Sequence, residues 1–384
     1  MMEMESDWDT VNILKQNAFI SCLYTLPWFY YGLWSAMSIL FLQLPPKPWR
    51  KWVSIPILFA ILTKATFFHE NRGVALSKLL QGIFSVMYFI TLEIFYVTEY
   101  PEFYEYRIGQ ETLKQVKRYK GFSKEKMQWA VARALFSMRG IGWNTCQKHL
   151  KHHGTIKKQG KWEWIFEMIL FEIVLKFSFG ILTIDLFLNS SYMKGAGWDR
   201  NAFDLYSQSF QSIWYQFLFL AMSGFGVYCG ISILYYLNAI PLVALGVYQV
   251  SDFPPIFGSL FAATTVRDFW SKFWHQLLYK PCAPLAIKLS HLVTKEKFWN
   301  RLVSVYLTFI ITGIIHAIGT SFLDWNGPLD YNPNIPSWVP PQITILGTTW
   351  HIGRYFYSFI FFPYQAVLIT IETIVIELWK RYCF

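Results

Sequence analysis

Charge is scarce in this chain. Only 15% of its 384 residues are Asp, Glu, Lys or Arg, against roughly 25% in an ordinary soluble domain. That excludes the two or three soluble domains the length alone would suggest, and it excludes disorder, collagen and coiled coil. Cysteine is sparse too. Cys22, Cys146, Cys229, Cys282 and Cys383 show no CxxC or zinc-type spacing, so neither a disulfide framework nor a structural metal is expected. The opening MMEMESDWDT has no basic stretch and no small-residue cleavage site, so targeting is expected to come from the first membrane span rather than a secretory signal. No internal repeat is visible, which speaks against an inverted-repeat transporter. A GxSxG nucleophile motif is missing, and so are aspartate-rich diphosphate motifs.

What the chain does have is apolar bulk. Hydrophobic residues make up 54% and aromatics 20%, with 35 Phe, 23 Tyr and 18 Trp, yet the net charge is +10. An apolar chain with a basic excess predicts an all-α, polytopic integral membrane protein with basic cytosolic loops. No soluble domain remains to present the charge to a nucleic acid, so none is expected as a partner.

About 20 apolar residues cross a bilayer core. Such runs occur near 22–43, 52–69, 78–97, 163–188, 209–249, 302–320 and 356–378. The run at 209–249 is long and contains Pro241, which predicts a span, a kink and a re-entrant piece; 342–355 is a candidate short membrane element. The expectation is about eight transmembrane helices in one membrane-embedded domain over residues 1–384.

The charges orient it. Segment 98–161 carries 14 Lys/Arg against 5 Asp/Glu. Segments 44–51 and 250–301 and the terminal Lys380–Arg381 are also basic, whereas 189–208 and 321–341 are nearly neutral or acidic. Basic loops stay cytosolic. This predicts a lumenal N-terminus and a cytosolic C-terminus, with 209–249 crossing an odd number of times. The basic face of 98–161 suits water and anionic lipid, or an anionic substrate such as the phosphates of a CoA thioester. His149, His152 and His153 could share a helix face as metal ligands, but no acidic or Cys partner lies close in sequence, and a wet basic linker explains them as well.

Ionisable residues inside apolar runs are costly and face a cavity or a partner. Glu172 and Lys176 are spaced to pair on one helix face. Glu167, Asp185, Lys64 and Glu93 are similar interior or interfacial cases. His316 sits among Thr312, Gly313, Ala317, Gly319 and Thr320, while Ile311, Ile314, Ile315 and Ile318 form the opposite face. Small neighbours permit close helix packing or leave room for a ligand beside the imidazole. His316 lies roughly 20 Å along the helix from Arg301. It can be a general base or a hydrogen-bonded packing residue.

A second cluster runs Arg267-Asp268-Phe269-Trp270-Ser271-Lys272-Phe273-Trp274-His275-Gln276. Thr264, Thr265 and Asp268 predict a helix start. Phe269, Trp270, Phe273, Trp274 and Leu277 would form its apolar stripe, with Asp268, Ser271, Lys272, His275 and Gln276 covering much of the other side. This reads as an interfacial amphipathic helix or as one lining the entry to a reaction chamber.

Together, Arg267-Asp268-Phe269-Trp270…Trp274-His275 and, 316 − 275 = 41 residues on, Thr312-Gly313-Ile314-Ile315-His316 resemble the membrane-bound O-acyltransferase superfamily in its wax-synthase-like branch, most of all fungal terpenoid or meroterpenoid O-acetyltransferases. The run Arg139-Gly140-Ile141-Gly142-Trp143-Asn144 resembles a segment common in fungal members. Many relatives carry Asn where this chain has His275, so an amide's supporting role does not transfer to it.

The resemblance implies transmembrane helices around an intramembrane chamber, and acyl transfer from acyl-CoA, acetyl-CoA by preference, to a hydrophobic alcohol. It implies His316 and His275 as catalytic residues. It also implies Arg267, Asp268, Trp270, Trp274, Gln276, Thr312 and Gly313 as substrate- or CoA-binding residues, with no metal and no resident cofactor. The expected partners are acyl-CoA, the alcohol and membrane lipid, in the endoplasmic reticulum; the oligomeric state stays open. A wax synthase acting on long-chain alcohols is the alternative enzyme. A transporter or a non-catalytic scaffold is the alternative outside catalysis.

Overall fold

The computed structural model describes residues 27–67, 75–137, 139–146, 160–188, 210–246, 248–320, 342–345 and 348–383. Within them the fold is mostly helical. Helix α1 (Pro27–Gln43) is followed by α2 (Trp49–Phe67) and by α3 (Ala75–Leu92), which runs on through a π-helical turn, Glu93–Val97. Helix α4 (Lys124–Leu135) belongs to a folded cap. Then α5 (Lys161–Glu167) continues through a π-helical stretch, Met168–Leu175, into α6 (Lys176–Leu188). The rest comprises α7 (Phe210–Ala244), α8 (Tyr279–Val293), α9 (Lys297–Thr320) and α10 (Ile352–Cys383).

Among the described residues, three stretches are long and apolar enough to cross a membrane: Gly224–Ala244, Lys297–Ile318 and Phe359–Tyr382; Gly82–Val97 is a shorter apolar helix. Within the apolar run 209–249, Phe210–Ala244 is one continuous helix, α7, rather than a span plus a re-entrant piece. Pro241 falls in its last turn, so the helix ends soon after the missing N–H. The expected membrane element at 342–355 is instead an antiparallel hairpin, Gln342–Ile345 (β1) with Thr348–His351 (β2), leading into α10. The β-branched Ile343, Thr344, Ile345, Thr348 and Thr349 favour extended backbone. All-α therefore describes the bulk of the fold but not this corner.

The basic segments meet at one end of the helices. Arg50, in the first turn of α2, forks onto Glu102 at 2.6 and 3.0 Å. Lys126 donates to the Gln43 carbonyl at 3.2 Å, Lys161 to that of Ala244 at 3.1 Å, and Lys288 to that of Tyr96 at 2.6 Å. Lys288 also pairs with Glu99 at 3.4 Å and Arg139 donates to the Pro254 carbonyl at 3.0 Å, so residues 44–51, the described part of 98–161 and segment 250–301 are joined. Much of 98–161 is a packed cap, not a loose loop: Trp129 and Trp143 are fully buried against the cluster that α1, α2 and α3 build with Trp34, Leu58, Leu62 and Phe84. The His149, His152 and His153 cluster lies outside the described residues, as do 189–208, 321–341 and the side chain of Asp185.

Several buried charges are paired, which offsets part of the cost of their burial. Arg133 binds Glu93 at 2.7 Å and also Glu105. Lys280 Nζ lies 3.3 Å from Glu105 Oε1, close enough for charge attraction though not aligned for a hydrogen bond. These contacts tie α3, the cap and the first turn of α8 into one body. Lys176 pairs with Glu172 at 2.5 Å and donates to Ser232 of α7 at 2.9 Å, so the i, i+4 pair read from sequence is present.

Candidate active site

A cavity of about 630 Å³ opens between the 267–279 segment, α8, α9 and α10. That size holds a drug-sized ligand. Arg267, Trp270, Trp274, His275, Gln276, Thr312 and His316 all line it, so the two sequence clusters meet in space.

The first cluster departs from the helix expected for it. Thr265 is the cap: its hydroxyl accepts from Asp268 N at 2.9 Å. A helical turn, Val266–Asp268, passes into a π-helical turn, Phe269–Phe273. The Trp274 N–H then bonds the Phe269 carbonyl at 2.8 Å and the chain turns extended at Trp274 (φ −65°, ψ 147°). His275 and Gln276 therefore follow the helix in a loop instead of lying on its polar side. The reason is local packing. Gly258 donates to the Phe273 carbonyl at 2.9 Å, and a Cβ on Gly258 would collide with the Lys272 carbonyl.

Two anchors hold this turn. The Glu372 carboxylate on α10 accepts from Val266 N at 2.9 Å and Arg267 N at 3.3 Å, satisfying donors that a helix start leaves orphaned. Arg267 also donates to Thr373 at 2.9 Å. Trp270 donates from Nε1 to Gln365 at 3.3 Å and sets its ring against Phe309 and Phe362. The sequence reading passed over Glu372, although an acid inside the apolar run 356–378 is itself a signal.

His316 donates from Nδ1 to the Thr312 carbonyl, 2.8 Å away. A carbonyl only accepts, so the Nδ1–H tautomer is selected and Nε2 is the basic nitrogen. Ser304, Thr308, Thr312 and His316 all line the cavity. At intervals of four they form one polar stripe on α9, about 18 Å long. The hydroxyls of Thr308 and Thr312 are returned to the carbonyls four residues back, at 2.7 and 2.8 Å. Spacing alone could have revealed Ser304 and Thr308.

His275 sits between Phe257 and Trp274, with ring centroids 6.0 and 5.5 Å away. Its Nδ1 is buried and makes no hydrogen bond among the described residues. Burial first, then the nearness of His316 and of Arg139, pushes its pKa down to about 3. It is a neutral imidazole at pH 7.

Three proposed binding residues have other roles in the geometry. The Gln276 amide nitrogen is committed to the carbonyls of Trp274, at 2.8 Å, and Trp270, at 3.3 Å, and so is not a ready oxyanion donor. Asp268 pairs with Lys272 at 2.6 Å and does not line the cavity. Gly313 turns to α10, where a Cβ would stand 2.7 Å from the Phe359 carbonyl; it permits close helix packing.

Arg139 acts from outside the cavity. Its guanidinium donates to Tyr235 and to the carbonyls of Pro254 and Pro255, each at 3.0 Å. That clamps the loop leading to Phe257 and hence to His275. Gly140 and Gly142 have φ of +68° and +76°, a left-handed backbone that glycine adopts without strain. Among the described residues no group of three or more His, Cys, Asp and Glu could hold a metal ion.

Comparison with known proteins points the same way as these residues. The model of the Membrane bound O-acyl transferase family matches residues 253–327, the segment that contributes the 267–279 wall and all of α8 and α9. Taken with the apolar helices, this makes the chain a helical membrane protein resembling that family.

Individual relatives sharpen the resemblance. The chain is 34% identical to Acetyltransferase atnC of Arthrinium sp over 88 residues, 22% of this chain and 20% of the relative. It is 24% identical to Acetyltransferase eriL of Hericium erinaceus over 198 residues, 51% and 49% of the two chains. It is 44% identical to an uncharacterized membrane protein of Schizosaccharomyces pombe over 63 residues, 16% and 18%. The chain thus spans between about a fifth and a half of the length of these relatives. No solved structure matches it.

Proposed function

We propose that this chain is a membrane-embedded O-acyltransferase that moves an acyl group, acetyl from acetyl-CoA, onto a hydroxyl of a hydrophobic secondary metabolite of terpenoid or meroterpenoid type. The observation that carries the proposal is the placement of His316, with Nδ1 anchored to Thr312, in a cavity that also holds His275 and Arg267. Support for the acetyl donor and the fungal metabolite comes from the acetyltransferase relatives.

The chemistry follows from the tautomer. His316 Nε2 takes the proton of the acceptor hydroxyl as its oxygen attacks the thioester carbonyl. A C–O bond forms and a tetrahedral oxyanion develops. Collapse breaks the C–S bond, and the leaving thiolate receives the proton from the His316 imidazolium, giving ester and free CoA thiol. The neutral His275 can donate one N–H to the oxyanion. The polar stripe on α9 suits the amide-bearing arm of the donor, and Arg267 and Lys272 suit its phosphates. The aromatic wall of Trp270, Trp274 and Phe309 suits a greasy acceptor.

The finer membrane picture belongs to the same reading. About eight spans, with the basic end facing the cytosol and the N-terminus facing the lumen of the endoplasmic reticulum, would bring water-soluble CoA to the Arg267 end. Protease cleavage within 98–161 from the lumenal side alone would overturn that orientation.

The test is ester formation by microsomal membranes carrying the protein. They are given labelled acetyl-CoA or oleoyl-CoA with a panel of terpenoid and fatty alcohols. Acetylation of a terpenoid alcohol is expected. Ester from fatty alcohol and oleoyl-CoA alone would reassign the protein as a wax synthase, and no ester with any pair would defeat acyl transfer.

A further inference from the structure

We propose that Phe362 is a specificity-determining residue that sets the length of the acyl group this site accepts, an inference that rests on the acyl-transfer reading above. Helices α9 and α10 are antiparallel neighbours: Tyr306 meets Thr370, and ten residues further along α9 His316 meets Phe362. Cavity-lining positions advance along α9 from Ser304 to His316, away from the basic end, and along α10 from Ile369 back to Phe362. Among the described residues, His316 and Phe362 are therefore the deepest pair.

Their ring centroids are 4.2 Å apart, with the planes tilted by 36°. That is van der Waals contact, with optimal carbon separations of about 3.5–4.0 Å, and no chain passes between the rings. The reacting carbonyl must stand beside the imidazole. A two-carbon acyl group ends there. A longer one needs the volume Phe362 occupies.

Phe362 does not swing aside freely. It is 7% exposed, with Trp270 at 6.0 Å and Phe361 at 5.1 Å. Tyr364, two residues on in α10, is 61% exposed and is not among the cavity-lining residues, so it serves as the control.

The experiment compares wild type, Phe362→Ala, Phe362→Leu, Phe362→Met and Tyr364→Ala in microsomes. Each is given acetyl-, butanoyl- or octanoyl-CoA with an alcohol that the wild type esterifies. The octanoyl-to-acetyl rate ratio should rise at least about tenfold in Phe362→Ala, since single methylenes already discriminate by that much in a closed pocket. The Leu and Met variants, which keep apolar bulk and hence the packing, should rise less. Tyr364→Ala should keep the wild-type ratio.

An unchanged ratio in the Phe362 variants that still transfer acetyl overturns the proposal. So does a wild type that uses octanoyl-CoA as readily as acetyl-CoA, or loss of transfer from every donor in all three Phe362 variants. A wild type that makes no ester from any donor instead removes the acyl-transfer reading itself.

Discussion

His316 donates its Nδ1–H to the carbonyl of Thr312, one turn earlier on the same helix. The bond makes Nε2 the basic nitrogen. His316→Ala should then lower ester formation by about 10²–10⁴-fold, the usual range for losing a general base. Limited proteolysis should show an unchanged pattern. A folded His316→Ala protein with the wild-type rate would end the proposed mechanism.

Arg139 stands behind the site as a clamp on Pro254 and Pro255. Arg139→Ala leaves buried carbonyls unpaired, a cost of about 1–3 kcal/mol. The thermal midpoint in detergent should fall, and kcat should fall more than KM changes, because Phe257 and His275 lose their support. Tyr235→Phe removes one of the contacts and should show a smaller effect in both measurements.

Gly258 is required by a backbone approach. Gly258→Ala should displace the Lys272–Phe273 turn and suppress activity, whereas Gly224→Ala, whose Cβ would meet nothing within 4 Å, should behave as wild type. Equal activities of the two variants would show that the turn adapts.

Gly313 offers a parallel test of helix packing. Its added Cβ would sit 2.7 Å from the Phe359 carbonyl. Gly313→Leu should separate α9 from α10 and destabilise the protein by about 1–3 kcal/mol as overpacking, read from the thermal midpoint. Activity should fall with it, since His316 and Phe362 face each other across that contact.

The buried cluster in the cap predicts acid sensitivity. Burial opposes the Glu105 charge, but Arg133 and Lys280 outweigh it, so its pKa is lowered on folding. A lowered carboxylate pKa contributes stability that is present above the unfolded value of about 4.3, and that is lost as pH falls through the folded value. The thermal midpoint should be flat from pH 7 to about pH 5 and drop below about pH 4. Glu105→Gln should destabilise by about 3–5 kcal/mol at pH 7, the cost of breaking a buried pair, and should flatten the acid limb. An acid limb identical to wild type would assign the sensitivity elsewhere.

Much of the site was legible because its signals are local. The small residues around His316, the aromatic run 269–274 and the polar faces are visible within one or two helical turns. What was hidden is made by contacts between distant segments. Glu372 caps Val266 from about a hundred residues away, and Arg139 grips Pro254 and Pro255 from a similar separation. The π-helical turn that throws His275 out of the helix depends on Gly258 meeting Lys272 and Phe273. Helix periodicity cannot anticipate that. Gly313 was legible as small, but whether it leaves room for a ligand or for a neighbouring helix depends on α10.

The sequence by itself determined an apolar, mostly helical chain whose basic segments would share an end, because hydropathy and charge act residue by residue and need no partner. It also singled out His316 as an ionisable group in an apolar run. Only the tertiary structure decided that His275 and His316 line one cavity, that Gln276 and Asp268 are spent on internal contacts, and that Phe362 packs against His316 in the cavity wall. Those outcomes depend on which backbones approach within van der Waals distance, and that is set by packing among α8, α9, α10 and the 258–279 segment.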